Sequence, residues 1–134
     1  MHRATAAALL MLAGCASPAG AERPVCVAEW LDVPTMAAEA GGVREEVVAI
    51  DCFEPIGPSR VRVGFVLPPG PDCFVLQRVE LRESADAISI TLVRAVNDDP
   101  NVGACPEEAR MAMTEIDLAS PVDDRDLLDG SARE

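Results

Sequence analysis

Carboxylates are the side chains through which this chain could do chemistry, because most alternatives are missing. Asp and Glu number 23 among 134 residues, lysine and tyrosine are absent, and the single histidine is His2. General acid–base catalysis most often uses histidine, and here that role would fall to acids alone. Carboxylate pairs can hydrolyse glycosides, but with so many acids some pair is expected by chance. Two clusters stand out: Asp98, Asp99 and Asn101, then Asp123, Asp124, Asp126 and Asp129. Such loops could offer oxygen ligands to calcium. Neither fits the twelve-residue EF-hand loop, since DDRDLLDG lacks the central glycine and the terminal glutamate. Trp30, near Glu29 and Asp32, could stack on a sugar ring, yet a lone tryptophan is more often core. The inventory therefore predicts no enzyme, no catalytic residue, no metal and no cofactor. A small-ligand or calcium-binding module using the acidic loops is the alternative.

The elements that would position these residues begin after an export segment. The apolar run from Ala4 to Gly14 is interrupted only by Thr5 and follows His2 and Arg3. A membrane-spanning helix needs about 20 apolar residues, so this run is too short. A positive start, a short apolar stretch and then small residues make a signal peptide. Leu12-Ala13-Gly14-Cys15 resembles the lipobox of bacterial lipoproteins: an aliphatic residue, two small ones, then cysteine. The resemblance implies a diacylglyceryl group on the Cys15 sulfur, cleavage before Cys15, and acylation of the new amino terminus. It divides the chain into a signal peptide (1–14), a lipidated cysteine with its tether (15–24), a domain (25–130) and a frayed tail (131–134). Two or three acyl chains anchor stably where one binds marginally. The expected location is the extracytoplasmic face of a cell membrane, with Ala16 rather than aspartate after the cysteine pointing to an outer membrane where the host has one.

The mature part loses Arg3, so the formal charge of −12 becomes about one unit more negative. Such acidity disfavours nucleic acid and anionic lipid surfaces. The expected partners are the membrane, through the anchor, and an envelope protein or the cell wall. With Cys15 lipidated, Cys26, Cys52, Cys73 and Cys105 remain, and an even number in an exported domain predicts two disulfides. Three pairings are possible. Cys26–Cys52 with Cys73–Cys105 is preferred, because each bridge then ties neighbouring segments without crossing, and paired cysteines leave no thiol as a nucleophile. A zinc site fails on spacing and on the lack of histidine.

Alternation of apolar residues predicts strands over 43–53, 60–67, 74–84 and 87–95. Residues 107–113 also hold helix formers, but a strand over 111–118 is preferred because Cys105 must sit beside Cys73 and prolines bracket the stretch. EPIGPS and PPGPD read as turns, and SADA closes a hairpin. In the third strand Val75, Val79 and Leu81 are expected inward, with Arg78, Glu80 and Arg82 outward. Residues 28–42 are the best helix site, kept short by Pro34 and Gly41-Gly42. The fold class is mainly β: a small antiparallel domain, sandwich or meander, with room for one short helix and stapled by two disulfides.

The second half resembles small exported lipoproteins of GC-rich bacteria. Their ending runs cysteine, an alternating strand, Leu-x-x-Pro-Leu-Gly-x-Arg, two aliphatic residues, then Asp-Gly. Here it is matched by Cys105, the strand to Leu118, Ala119 to Arg125, and Leu127-Leu128-Asp129-Gly130, with VELRESADAISITL as the preceding hairpin. Val122-Asp123 stands where that pattern has Leu-Gly. The resemblance implies the compartment and the fold sketch, not an activity. Arg125 has five donors to give to strand-end carbonyls or a carboxylate, which would lock the C-terminal segment. An anion-binding role is its functional alternative.

Overall fold

Arg60–Leu67 has the strictest alternation in the chain, and it forms the middle of a sheet. In the computed structural model, which describes residues 24–69, 73–97 and 108–133, seven strands run in order: β1 Val43–Val48, β2 Ile50–Gly57, β3 Arg60–Leu67, β4 Phe74–Glu83, β5 Ala87–Val96, β6 Arg110–Asp117 and β7 Asp126–Asp129. β2, β3 and β6 make one antiparallel sheet with β3 central. The other sheet centres on β5, with β4 along one edge. Its second edge is divided. β1 pairs antiparallel with Leu92–Val96 and β7 pairs parallel with Ala87–Ile90. The architecture is mainly antiparallel β, as the alternation predicts.

Side chains alternate across a strand, so each sheet turns one face inward. Val61, Val63 and Phe65 from β3 meet Ile88, Ile90 and Leu92 from β5 in one core. Ala112, Thr114, Ile116 and Leu118 are all buried, as their spacing requires.

Four sequence expectations need correction. The predicted strand over 43–53 is two strands. Ala49 alone joins β1 to β2, and the two lie in different sheets. Val48 and Ile50 are both buried at this corner, where the inner faces of the two sheets converge. The turn expected at EPIGPS shrinks to Pro58-Ser59, because β2 continues through Pro55. Proline is tolerated there because β2 is an edge strand, and the entering chain bonds its outer side at Phe53, not at Pro55. In β4 it is Leu76, not Val75, that is fully buried. The register shifts between Leu76 and Arg78, and a bulge reverses which side chains face inward.

The fourth correction concerns the helix. Only one 3-10 turn forms, Ala28–Trp30. The residues after it run as an extended strap. Pro34 O accepts from Met113 N (3.3 Å), Met36 N donates to Met113 O (2.8 Å), and Glu39 N donates to Leu76 O (2.9 Å). The strap therefore bridges β6 of one sheet to β4 of the other. Pro34 breaks any helix, and Gly42 must approach Val96 closely at φ 85°, where a Cβ would lie 2.7 Å from the Val96 carbonyl oxygen.

One disulfide is described whole, Cys26–Cys52, with Cα atoms 4.8 Å apart. This is the expected first pairing. Cys73 is also disulfide-bonded. Cys105 lies outside the described residues, so the expected Cys73–Cys105 bridge is not described, and the two-disulfide expectation reduces to one complete bridge. Trp30 is 7% exposed and packs with Cys52 and Met113 on the outer face of the β2–β3–β6 sheet. It is a core residue, not a sugar platform. Gly64 makes this packing possible, because a Cβ there would lie 2.6 Å from Cys52 Sγ and 2.8 Å from the indole ring. Gly64→Ala is expected to cost about 1–3 kcal/mol by forcing these groups apart. Urea unfolding followed by tryptophan fluorescence measures that cost.

Candidate functional site

The segment Leu118–Arg125 must carry the chain from β6 in one sheet to β7 in the other. It is held at both ends by backbone bonds. Leu118 N donates to Ser59 O and Val122 N to Pro58 O, each at 2.8 Å, which docks it on the β2–β3 turn. Asp126 N then donates to Asp86 O (3.0 Å), which docks it on the β4–β5 turn.

Arg125 sits at the centre of this crossing and is 8% exposed. Its Nε donates to Pro121 O (3.1 Å). Nη2 donates to Ser120 O (2.8 Å) and Pro121 O (2.7 Å). Nη1 donates to Glu83 Oε1 (3.0 Å) and Ser84 O (3.3 Å). A guanidinium has five N–H groups, and these five contacts engage all of them. Glu83 is engaged as fully. Its Oε2 accepts from Ala119 N (2.8 Å), and its Oε1 takes Arg125 with a long contact to the Ser120 hydroxyl (3.5 Å). The Ala119 amide, helped by the Arg125 guanidinium, holds the Glu83 carboxyl below its ordinary range against the opposing effect of burial.

The arginine thus does what its five donors suggest, locking the C-terminal segment to strand-end carbonyls and a carboxylate. Its partner was not legible in sequence. Glu83 lies 42 residues away, and by sequence alone it belongs with Arg78, Glu80 and Arg82 as charges that could pair on the wet face of the hairpin. Arg78 instead reaches Glu45 (2.6 Å) and Glu80 (3.0 Å). At Asp123, where the exported-lipoprotein pattern has glycine, the backbone has φ 43°. That is the left-handed region, which glycine adopts freely and aspartate tolerates better than most residues.

A cleft of about 780 Å³ opens over this crossing, with Asp86, Asp123, Asp124 and Asp126 around the Glu83–Arg125 pair. Its rim is anionic, so it does not suit the anion-binding alternative for Arg125, whose donors are all engaged. The second acidic cluster does not converge as a unit. Asp129 points elsewhere: Oδ2 accepts from Ile50 N (2.9 Å), and Oδ1 accepts from Ser131 N (2.9 Å) and the Ser131 hydroxyl (2.7 Å). Ser131 belongs to a 3-10 turn, Gly130–Arg133, that follows β7. Burial, then the charge of Asp129, raise the carboxyl of neighbouring Asp51. Among the described residues no three His, Cys, Asp or Glu side chains are grouped to hold a metal ion. Asp98, Asp99 and Asn101 lie outside the described residues, as does Cys15.

On the outer face of the β2–β3–β6 sheet, Arg62 lies between Glu115 (2.9 Å) and Glu54 (3.6 Å), and Arg60 pairs with Asp117 (2.8 Å). These pairs are exposed enough to add little stability.

Arg125→Met keeps the length of the side chain and removes all five donors. It is expected to cost about 3 kcal/mol or more, because Glu83 and the carbonyls of Ser120 and Pro121 lose their partner. Urea midpoints of the variant and the parent measure this. The Glu83 carboxyl is depressed in the folded state, so its contribution is complete above the ordinary carboxylate range. It is lost as pH falls through the folded value. Glu83→Gln should therefore lower stability at neutral pH and flatten the acid limb of a stability profile run down to about pH 2. An acid limb unchanged by the substitution would show that other carboxylates govern acid unfolding. Compared with known proteins, the chain matches no family model, no curated protein and no solved structure.

Proposed function

We propose that the chain is a membrane-anchored envelope lipoprotein that works through protein or cell-wall contacts rather than catalysis. The observation that carries this reading is Leu12-Ala13-Gly14-Cys15 at the end of a short apolar run. The Cys26–Cys52 bridge supports it, since disulfides persist in the oxidising compartments to which such a leader directs a chain. The tether is short. Pro24 O accepts from Phe53 N (2.8 Å) and Cys26 N donates to Phe53 O (3.3 Å), so the domain is entered along the outer edge of β2. Anchoring at Cys15 would leave about nine residues, 16–24, between the lipid and that edge. Extended chain covers about 3.3–3.6 Å per residue, which gives a reach of about 30 Å.

The anchor is tested on the native product. Mass spectrometry should find an N-terminal peptide beginning at Cys15 with acyl mass on it. Cys15→Ser should abolish both the acyl mass and the cleavage before residue 15, leaving the 1–14 leader attached. An unmodified sulfur at Cys15 in the native host overturns the reading.

A further inference from the structure

β4 leaves one edge of its sheet open. The β4–β5 hairpin closes with Ser84 N donating to Ala87 O (2.8 Å). Antiparallel ladders alternate, so Glu80 and Arg82, in register with Thr91 and Ser89, turn their backbone groups toward β5. Val79, Leu81 and Glu83 turn theirs the other way. The strap meets this edge only at its upper end, through Glu39 N to Leu76 O (2.9 Å) and the Gln77 amide to Gly41 O (2.9 Å). Below that point, among the described residues, β4 pairs with β5 alone. The outward N–H and C=O groups of Val79 and Leu81 are therefore a template for another strand.

The side chains on the outer face of this edge alternate in sign: Arg78, Glu80, Arg82. Arg78 is engaged by Glu45 and Glu80 of its own chain. Arg82 is exposed and has no carboxylate within salt-bridge distance among the described residues. An antiparallel second copy placed with Leu81 opposite Leu81 brings Glu80 opposite Arg82 twice, once on each side of the axis. Those positions are a non-hydrogen-bonded pair, in which facing side chains approach most closely. The register one step either way fails: with Glu80 on the axis, Arg78 faces Arg82 and Glu80 faces itself.

We propose that β4 pairs edge to edge with β4 of a second copy about a twofold axis at Leu81. The two β5-centred sheets then become one, and each Arg82 receives the Glu80 of its partner. The contact is short, and the overall negative charge of the chain opposes it, so the dimer is expected to be weak. It does not depend on the lipid anchor.

The test uses the mature polypeptide without lipid, residues 16–134, so that neither the apolar leader nor an acyl chain contributes to association. Sedimentation equilibrium from about 10 to 500 μM, the concentration range of weak complexes, should show a monomer–dimer equilibrium. Arg82→Glu places Glu opposite Glu, and Glu80→Arg places Arg opposite Arg. Each alone should weaken association at least about tenfold, since like charges directly opposite are destabilising. An equimolar mixture of the two variants faces Arg with Glu at both positions, and association should return. Matching circular dichroism and melting curves establish that both variants are folded. The proposal is overturned if the parent is monomeric throughout the range, if Arg82→Glu associates as the parent does, or if the mixture fails to associate.

Discussion

A guanidinium taken out of water must have every N–H satisfied, and at Arg125 that requirement sets the path of the chain. Its five contacts fall on four oxygens from two separate places, the loop after β6 and the end of β4. All five contacts are made only when the loop folds back over the β4–β5 turn. That placement delivers β7 alongside β5, in the parallel register that fills the half of the β5 edge left free by β1. At the far end of β7, Asp129 reaches the first amide of β2. Two of the places where the chain crosses between sheets, the Ala49 corner and the loop into β7, are thus linked through one short strand. Replacing the ion pair by apolar groups of similar shape need not weaken the fold, but removing one member leaves the other stranded.

The sheets of a small domain have two faces, and here each buries something. The inner faces share the main core. The outer face of the β2–β3–β6 sheet carries a second, smaller cluster of Trp30, Cys52 and Met113, with Cys26, Val33 and Met111 at its margin. It forms because Gly64 presents no side chain at the point where the indole must lie. The disulfide joins the entering chain to β2 beneath the same indole. A domain of this size gains from such a staple, since its core alone supplies limited stability.

The edges of the two sheets are handled differently on opposite sides. On the side of the β1–β2 corner, the entering chain runs along β2 through the Val25–Phe53 bridge. On the other side the strap closes the gap between β6 and β4, pairing with β6 at Met113 and with β4 at Leu76. The strap is short relative to the strands it covers, so the lower part of β4 stays open. The chain entering at Pro24–Cys26 and that open edge therefore lie on opposite sides of the sandwich. A domain anchored through its tether would present the open edge away from the point of attachment.

Local chemistry was enough to determine where most strands lie. Branched residues at every second position in 60–67 and 87–95 point one face of each strand inward, because side chains in a strand alternate between two faces; in 111–118 the same alternation competes with a helical reading of 107–113. The hairpin at Ser84–Ala87 follows from short-range geometry in the same way, whereas Cys26–Cys52 is the preferred one of three pairings and the locking role of Arg125 is one of two its donors allow. What required the tertiary structure was every choice between distant partners. Nothing near Val48 and Ile50 in sequence says that they belong to different sheets. Gln77 forms a bulge only because the ladder with β5 is already in place. Glu83 meets Arg125 rather than its hairpin neighbours because the crossing loop brings a desolvated guanidinium to it, and a charge denied water binds the nearest opposite charge more strongly than an exposed pair does.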